Sequence, residues 1–192
     1  MSNTAVFWDS TIMFHKLVEE TTGPVDSVTP LILAAPFFRG KFSGIIIPTG
    51  FGNTHYSRML PALRACASRI EDYLEDGGKL LVYGAADASP ARYDWLPVSV
   101  DYHFEFLEHD VEADASSKWK GIIDGYDCSK FACDGWFENV ENGRAVVTSK
   151  TVGKPVFVEV PVGKGTLLLA STHEYPTVSF LQEFKEGEPV SF

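Results

Sequence analysis

Short apolar runs alternate with amphipathic and polar stretches along the chain, and the spacing of the apolar positions predicts a repeated order of strands and helices. Residues 44–48 read Gly-Ile-Ile-Ile-Pro, the β-branched composition of a parallel strand buried on both faces, and 49–53 follow as a flexible Thr-Gly-Phe-Gly-Asn loop. From 57 to 76, Leu60, Leu63, Ala67, Ile70 and Leu74 recur three or four residues apart and form one helical stripe, leaving Arg58, Arg64, Arg69, Glu71 and Glu75 to face water. Ser57 has N-cap chemistry, Pro61 falls within the first turn, and Gly77 with Gly78 provides the stop. A second buried strand over 79–83 runs into Gly84, Ala85, Ala86 and Asp87. A parallel βαβ unit with small-residue loops after both strands sets those loops side by side at the carboxyl edge of a sheet, where α/β proteins bind ligands.

Around this unit the pattern predicts further elements. Residues 5–8 form a first strand, and Ile12, Met13, Lys16, Leu17 and Glu20 mark a helix that Gly23-Pro24 ends. Asp9, between the two, is read as the cap of that helix. Residues 25–29 make a short strand; 30–38 are apolar without a decisive period, and Pro36 excludes one uninterrupted helix there. Phe37, Phe38 and Phe42 are packing residues in this reading, and Tyr93 with Trp95 lies in a loop over the strand ends. Residues 98–108 alternate with period two, which puts His103, Glu105 and His109 on one side of a strand. These are metal-ligand types, but same-face neighbours on a strand lie about 6–7 Å apart, so a solvated face is the reading and no metal site is expected. Residues 144–148, 156–160 and 166–170 add strands in antiparallel fashion, and the tail from Phe184 is expected to wrap the surface.

Composition narrows the function classes. The 192 residues are enough for one domain, expected to span the whole chain with a loop-rich insertion around 110–140. A formal net charge of -10, with basic residues scattered singly, speaks against nucleic acid and anionic membranes as partners. No apolar run approaches the roughly 20 residues of a spanning helix. Cys66, Cys128 and Cys133 are too few for a disulfide framework, and the opening residues lack a basic leader, so the expected location is the cytoplasm. Cys128 and Cys133 have no matching downstream pair, which excludes a zinc knuckle; either they are buried thiols, or Cys133 is a thiolate activated by His173. No cofactor is expected.

The run 45–52, the amphipathic helix, Gly77-Gly78 and the run 79–86 resemble the core of the class I glutamine amidotransferase-like superfamily, a flavodoxin-like α/β fold. Residues 163–176, which end a strand in Ser171-Thr-His-Glu-Tyr-Pro, resemble the superfamily's final strand, which delivers the histidine of its triad. The resemblance implies a mostly parallel central sheet flanked by helices, with added antiparallel strands toward the C-terminus. It also implies a glycine loop acting as oxyanion hole, a cysteine on an elbow after the second strand, and a His-x-Glu pair. Here Ala85 aligns with the cysteine, Tyr83 and Asp87 with the elbow's flanking glycines, and Tyr175 with the glutamate, while Glu174 directly follows His173. Relatives without the cysteine, such as the ThuA-like proteins, are similarly close.

Two readings follow. In the first, a catalytically silent domain binds a small ligand or a protein partner through Thr49, Gly50, Phe51, Gly52, Asn53, His55, Gly84, Ala85, Ala86, Asp87 and Tyr175, with free N–H groups of the glycine loop holding a carbonyl or carboxylate oxygen. In the second, a hydrolase or transferase uses His173 or His55 as base, with Cys133, Asp87 or Glu174 as nucleophile or orienting group. Assembly into a homo-oligomer through an edge strand or aromatic loop is a further expectation.

Overall fold

A computed structural model describes residues 4–192. In chain order it contains β1 (Thr4–Phe7), α1 (Met13–Thr22), β2 (Val25–Val28), α2 (Pro30–Leu33), β3 (Lys41–Phe42), β4 (Gly44–Ile47), α3 (Met59–Ala65), α4 (Ala67–Glu75) and β5 (Lys79–Tyr83). Then follow β6 (Asp101–His109), β7 (Val111–Ala113), β8 (Phe131–Glu138), β9 (Arg144–Ser149), β10 (Lys154–Val162), β11 (Gly165–Ala170), α5 (Val178–Phe184) and β12 (Val190–Ser191). Eight strands form one sheet in the order β2-β1-β4-β5-β11-β10-β9-β7. Its first five strands are parallel, and β10, β9 and β7 continue it antiparallel. The fold is therefore α/β, with the mostly parallel sheet and the antiparallel C-terminal addition that the sequence predicts.

The centre of the sheet is apolar on both faces because both are covered. Every residue of β4 is buried, as are Leu80 to Tyr83 in β5 and Leu167 to Ala170 in β11. Gly44 lacks a side chain for a reason: a Cβ there would meet the Phe184 ring of α5 at 2.4 Å.

Several local expectations change. The helix over 57–76 is two helices, broken at Cys66, whose backbone sits at φ −112°, ψ 11° and whose thiol donates to the Leu33 carbonyl at 3.2 Å. Asp9 caps α3, not α1: its carboxylate accepts from the Ser57 hydroxyl (2.5 Å) and the Arg58 N–H (3.0 Å). At the start of α1 the Ile12 N–H is met instead by His15 Nδ1 at 3.1 Å. Residues 30–38 hold one short helix, α2, capped by the Thr29 hydroxyl, and Phe37 stands 90% exposed. The tail does not lie loosely on the surface. β12 pairs with β3, and Phe192 is buried against Phe7 and Tyr73. Truncating such a buried ring costs about 3–5 kcal/mol, so the last residue is part of the core.

Residues 110–140, read as loop-rich, carry β7, a 3-10 turn at Lys118–Ile123 and β8. β8 pairs with β6 as a separate two-stranded ribbon, with a bulge between Phe104 and Leu107. That bulge interrupts the period-two pattern. It leaves His103 and Glu105 exposed and 3.2 Å apart, while His109 is buried against the Ser149 hydroxyl at 2.7 Å; the Trp136 ring touches both imidazoles.

Candidate functional site

The strand order reverses direction at β1, which has β2 on one side and β4 on the other. A crevice opens outside the carboxyl ends of the strands at such a switch point. Here it is a cleft of about 630 Å³. Trp8 comes from the end of β1, Thr49 and Gly50 follow β4, Ala86 follows β5, and His173 follows β11. The β6–β8 ribbon closes one side with Phe104 and Asp134, and Tyr56 and His55 stand on the rim after the glycine loop.

The two small-residue loops are laced to each other. The Gly50 N–H donates to the Gly84 carbonyl (2.8 Å), the Gly52 N–H to the Ala85 carbonyl (3.1 Å) and the Asn53 N–H to the Gly50 carbonyl (3.0 Å). Asn53 adds its side-chain amide to the Ala86 carbonyl at 3.1 Å and accepts from the His55 N–H at 3.0 Å. The expectation of free glycine-loop donors is thereby corrected for Gly50, Gly52 and Asn53. Buried backbone donors find partners, and here the neighbouring loop is the partner. Close approach explains the glycines: a Cβ on Gly52 would lie 2.8 Å from that of Ala85.

Ala85 and Ala86, both expected to line the crevice, differ in where they lie. Ala85 is fully buried, whereas Ala86 lines the cleft and holds a left-handed backbone at φ 51°. A non-glycine residue in that region is strained by roughly 1–2 kcal/mol. The strained residue after β5 is thus Ala86, the neighbour of Ala85.

Across the cleft stands a hydrogen-bonded pair that the sequence does not announce. His173 Nδ1 lies 3.0 Å from Asp134 Oδ1, with the imidazole 55% and the carboxylate 10% exposed. An ionised carboxylate only accepts, so Nδ1 carries the proton and Nε2 of the neutral ring keeps its lone pair. Asp134 is fixed at several points. Its Oδ2 and the Gly84 carbonyl each lie 3.1 Å from the Thr49 hydroxyl, whose single proton they share. Its N–H donates to the Ser171 carbonyl at 2.7 Å, and its own carbonyl accepts from the Tyr102 hydroxyl at 2.8 Å. Phe106 sets its edge against the His173 ring, with centroids 5.3 Å apart.

Other expected site residues lie elsewhere. Cys133 is fully buried, and burial, reinforced by the Asp134 charge, pushes its thiol up to about 12, so it stays protonated at neutral pH. Asp87 is held by the Arg92 guanidinium at 2.9 Å on both oxygens, which keeps its carboxyl below the usual range. Phe51 is core, packed edge-on against Tyr93 and Trp95. Glu174 and Tyr175 line an adjoining cleft rather than the one holding Ala86, and Asp134 is the partner of His173 in place of Glu174. Thr49, Gly50, Asn53, His55, Ala86 and His173 line the same cleft. Sequence reasoning missed Trp8, Tyr56, Phe104 and above all Asp134. The one available signal for Asp134 was an acidic residue inside the apolar run of β8.

No protein-family model and no curated protein matches this sequence. Solved structures do match its shape. A GMP synthase subunit protein from Thermoplasma acidophilum superposes with a TM-score of 0.60 at 15% identity, covering 96% of this chain and 92% of that one. A cytoplasmic protein of Salmonella typhimurium LT2 gives 0.58 at 15% identity, covering 95% and 93%. A β-galactosidase from Rahnella sp. R3 gives 0.62 at 12% identity and covers 96% of this chain. The chain spans only 30% of that enzyme's length. These likenesses establish the fold, an α/β architecture shared with those structures. Among the described residues no helix is long and apolar enough to cross a membrane.

Proposed function

We propose that this chain is a catalytically silent amidotransferase-like domain that binds a small molecule in the cleft between the Thr49 loop and His173. The observation that carries this reading is Ala86. It occupies the strained position after β5 with its methyl group toward the cleft, and no cysteine or serine is among the residues lining that cleft. Covalent catalysis needs an activated nucleophile beside a base, and the Thr49 hydroxyl that lines the cleft turns its proton to Asp134 and the Gly84 carbonyl instead of to His173. The walls suit binding instead: Trp8, Tyr56 and Phe104 offer aromatic surface, and His173 Nε2 offers one oriented polar contact.

A second reading is favoured by the Asp134–His173 pair: a hydrolase in which His173 draws a proton from water attacking an ester or amide. One experiment separates the two. Full-length protein is assayed for hydrolysis of p-nitrophenyl acetate and, in parallel, screened against neutral fragments by NMR with the Ala86 methyl as reporter. Binding at Ala86 without turnover supports the silent domain. Turnover that disappears in His173→Ala overturns it.

A further inference from the structure

Three aromatic side chains around the cleft are not packed away. Tyr56, Phe104 and Phe106 are 65%, 39% and 57% exposed; the first two line the cleft, and the third sets its edge against the His173 ring. Exposed rings grouped at one place beside an oriented polar group mark a surface kept for a partner. The backbone donors nearby are already committed. The N–H groups of Gly50, Gly52, Asn53, His55 and Tyr56 all donate within the protein, and the Thr49 proton is shared by Asp134 and the Gly84 carbonyl. The loop therefore has little left to hold an anionic oxygen, whereas His173 turns the lone pair of Nε2 to the cleft with the Asp134 carboxylate behind it.

Asp134 carries its charge without a cation. Among the described residues its one ion-pair partner is His173, and the neutral imidazole supplies no charge. No lysine or arginine lines the cleft, and Arg92, which reaches Gly52 of the glycine loop, is held by Asp87. A mostly buried carboxylate ordinarily acquires a counter-charge, and here the protein does not provide one.

The geometry points to a protonated amine with an apolar body as the ligand of this cleft, its ammonium donating to His173 Nε2 and answering the Asp134 charge through the imidazole while Trp8, Tyr56 and Phe104 take its carbon skeleton. This rests on the reading of the crevice as a small-molecule site and names the class of molecule. Each feature of the ligand is selected by a different wall. An ammonium only donates, so it matches the Nε2 lone pair. Aromatic rings attract a cation by their quadrupole, an attraction that an alcohol or a carboxylate does not use. The net charge of -10 draws cations toward the protein and repels anions.

The test uses full-length protein with labelled methyl groups and three probes of similar shape: phenethylamine, which is an ammonium at neutral pH, phenethyl alcohol and hydrocinnamate. Phenethylamine should shift the Ala86 methyl and bind about tenfold more tightly than the alcohol, with hydrocinnamate weakest. Asp134→Asn keeps an acceptor for the His173 N–H but removes the charge, so it should erase most of that preference and leave the alcohol within about twofold of the parent. Phe104→Leu changes an exposed ring on the ribbon and leaves the core intact, which gives a second reading if Asp134→Asn does not fold; it should weaken the amine about two- to fivefold. Equal binding of the alcohol at Ala86, or tightest binding of hydrocinnamate, would overturn the amine while leaving the cleft as a small-molecule site. An amine affinity that either folded variant leaves undiminished would overturn it too. No shift of the Ala86 methyl with any of the three would overturn both readings.

Discussion

Asp134 and His173 lie 39 residues apart, on β8 and just beyond β11, yet their side chains meet at 3.0 Å. The meeting is a product of backbone register. The Asp134 N–H donates to the Ser171 carbonyl, the His173 N–H donates to the Ala132 carbonyl, and Cys133 bridges Thr172, so the two segments run antiparallel and set their side chains together over the cleft.

Because an ionised carboxylate only accepts, neutral His173 should carry its proton on Nδ1. Nitrogen-15 shifts of the imidazole should show that tautomer in the parent and a loss of it in Asp134→Ala. The variant also removes the contacts to Thr49 and His173, and denaturant unfolding should show a destabilisation of about 1–3 kcal/mol. An unchanged tautomer in Asp134→Ala would remove Asp134 from the site.

Strain at Ala86 predicts an unusual gain. Ala86→Gly relieves the left-handed conformation and should stabilise the fold by up to about 1 kcal/mol after the added freedom of the unfolded chain is offset. Ala86→Cys should place a thiol in the cleft. Iodoacetamide should label it much faster than buried Cys66 and Cys133, as peptide mass mapping would show. A thiol at 86 as inert as those two would mean that position 86 does not face the cleft.

Gly135 is the hinge on which Asp134 depends. Its φ of 150° accompanies a close approach to β6, where a Cβ would lie 1.9 Å from the His103 carbonyl oxygen. Gly135→Ala should cost on the order of 3 kcal/mol or detach the ribbon, with hydrogen exchange accelerating in β6 and β8 before the rest of the sheet. Uniform exchange across the molecule would show that the ribbon is not a separate weak point.

Acid should weaken the protein in two stages. Burial lowers the affinity of His15 and His109 for a proton below the ordinary 6.5. The unfolded chain then binds more protons, so stability falls as pH drops through 6.5 toward their folded values. Carboxylates depressed by partners, among them Asp87 beside Arg92 and Glu138 beside Lys154, keep their contribution at neutral pH and lose it at lower pH, as it falls through their depressed folded values. Urea titrations between pH 8 and 5 should show the first stage, and His109→Gln should reduce its slope. A slope unchanged by that substitution would assign the stage to other groups.

The sequence by itself determined the parallel core. The apolar runs of β4 and of Leu80 to Tyr83 in β5 suit a sheet covered on both faces, and Gly77-Gly78 with the Leu60 to Leu74 stripe fixes the helical segment between them, so the crevice at their carboxyl ends was legible from local pattern. The placement of Thr49, His55, Ala86 and His173 around it followed from strand ends alone. What lay beyond local pattern is whatever depends on one segment meeting another. The bulge in β6 interrupted the period-two pattern, His109 came to be buried while His103 stayed exposed, and Phe192 reached the core through pairing of β12 with β3. The partner of His173 was decided in the same way. Glu174 is its neighbour in sequence, but successive side chains of an extended segment point apart, and the carboxylate that reaches the ring comes from the strand laid beside it. Only the tertiary structure brings Asp134 there.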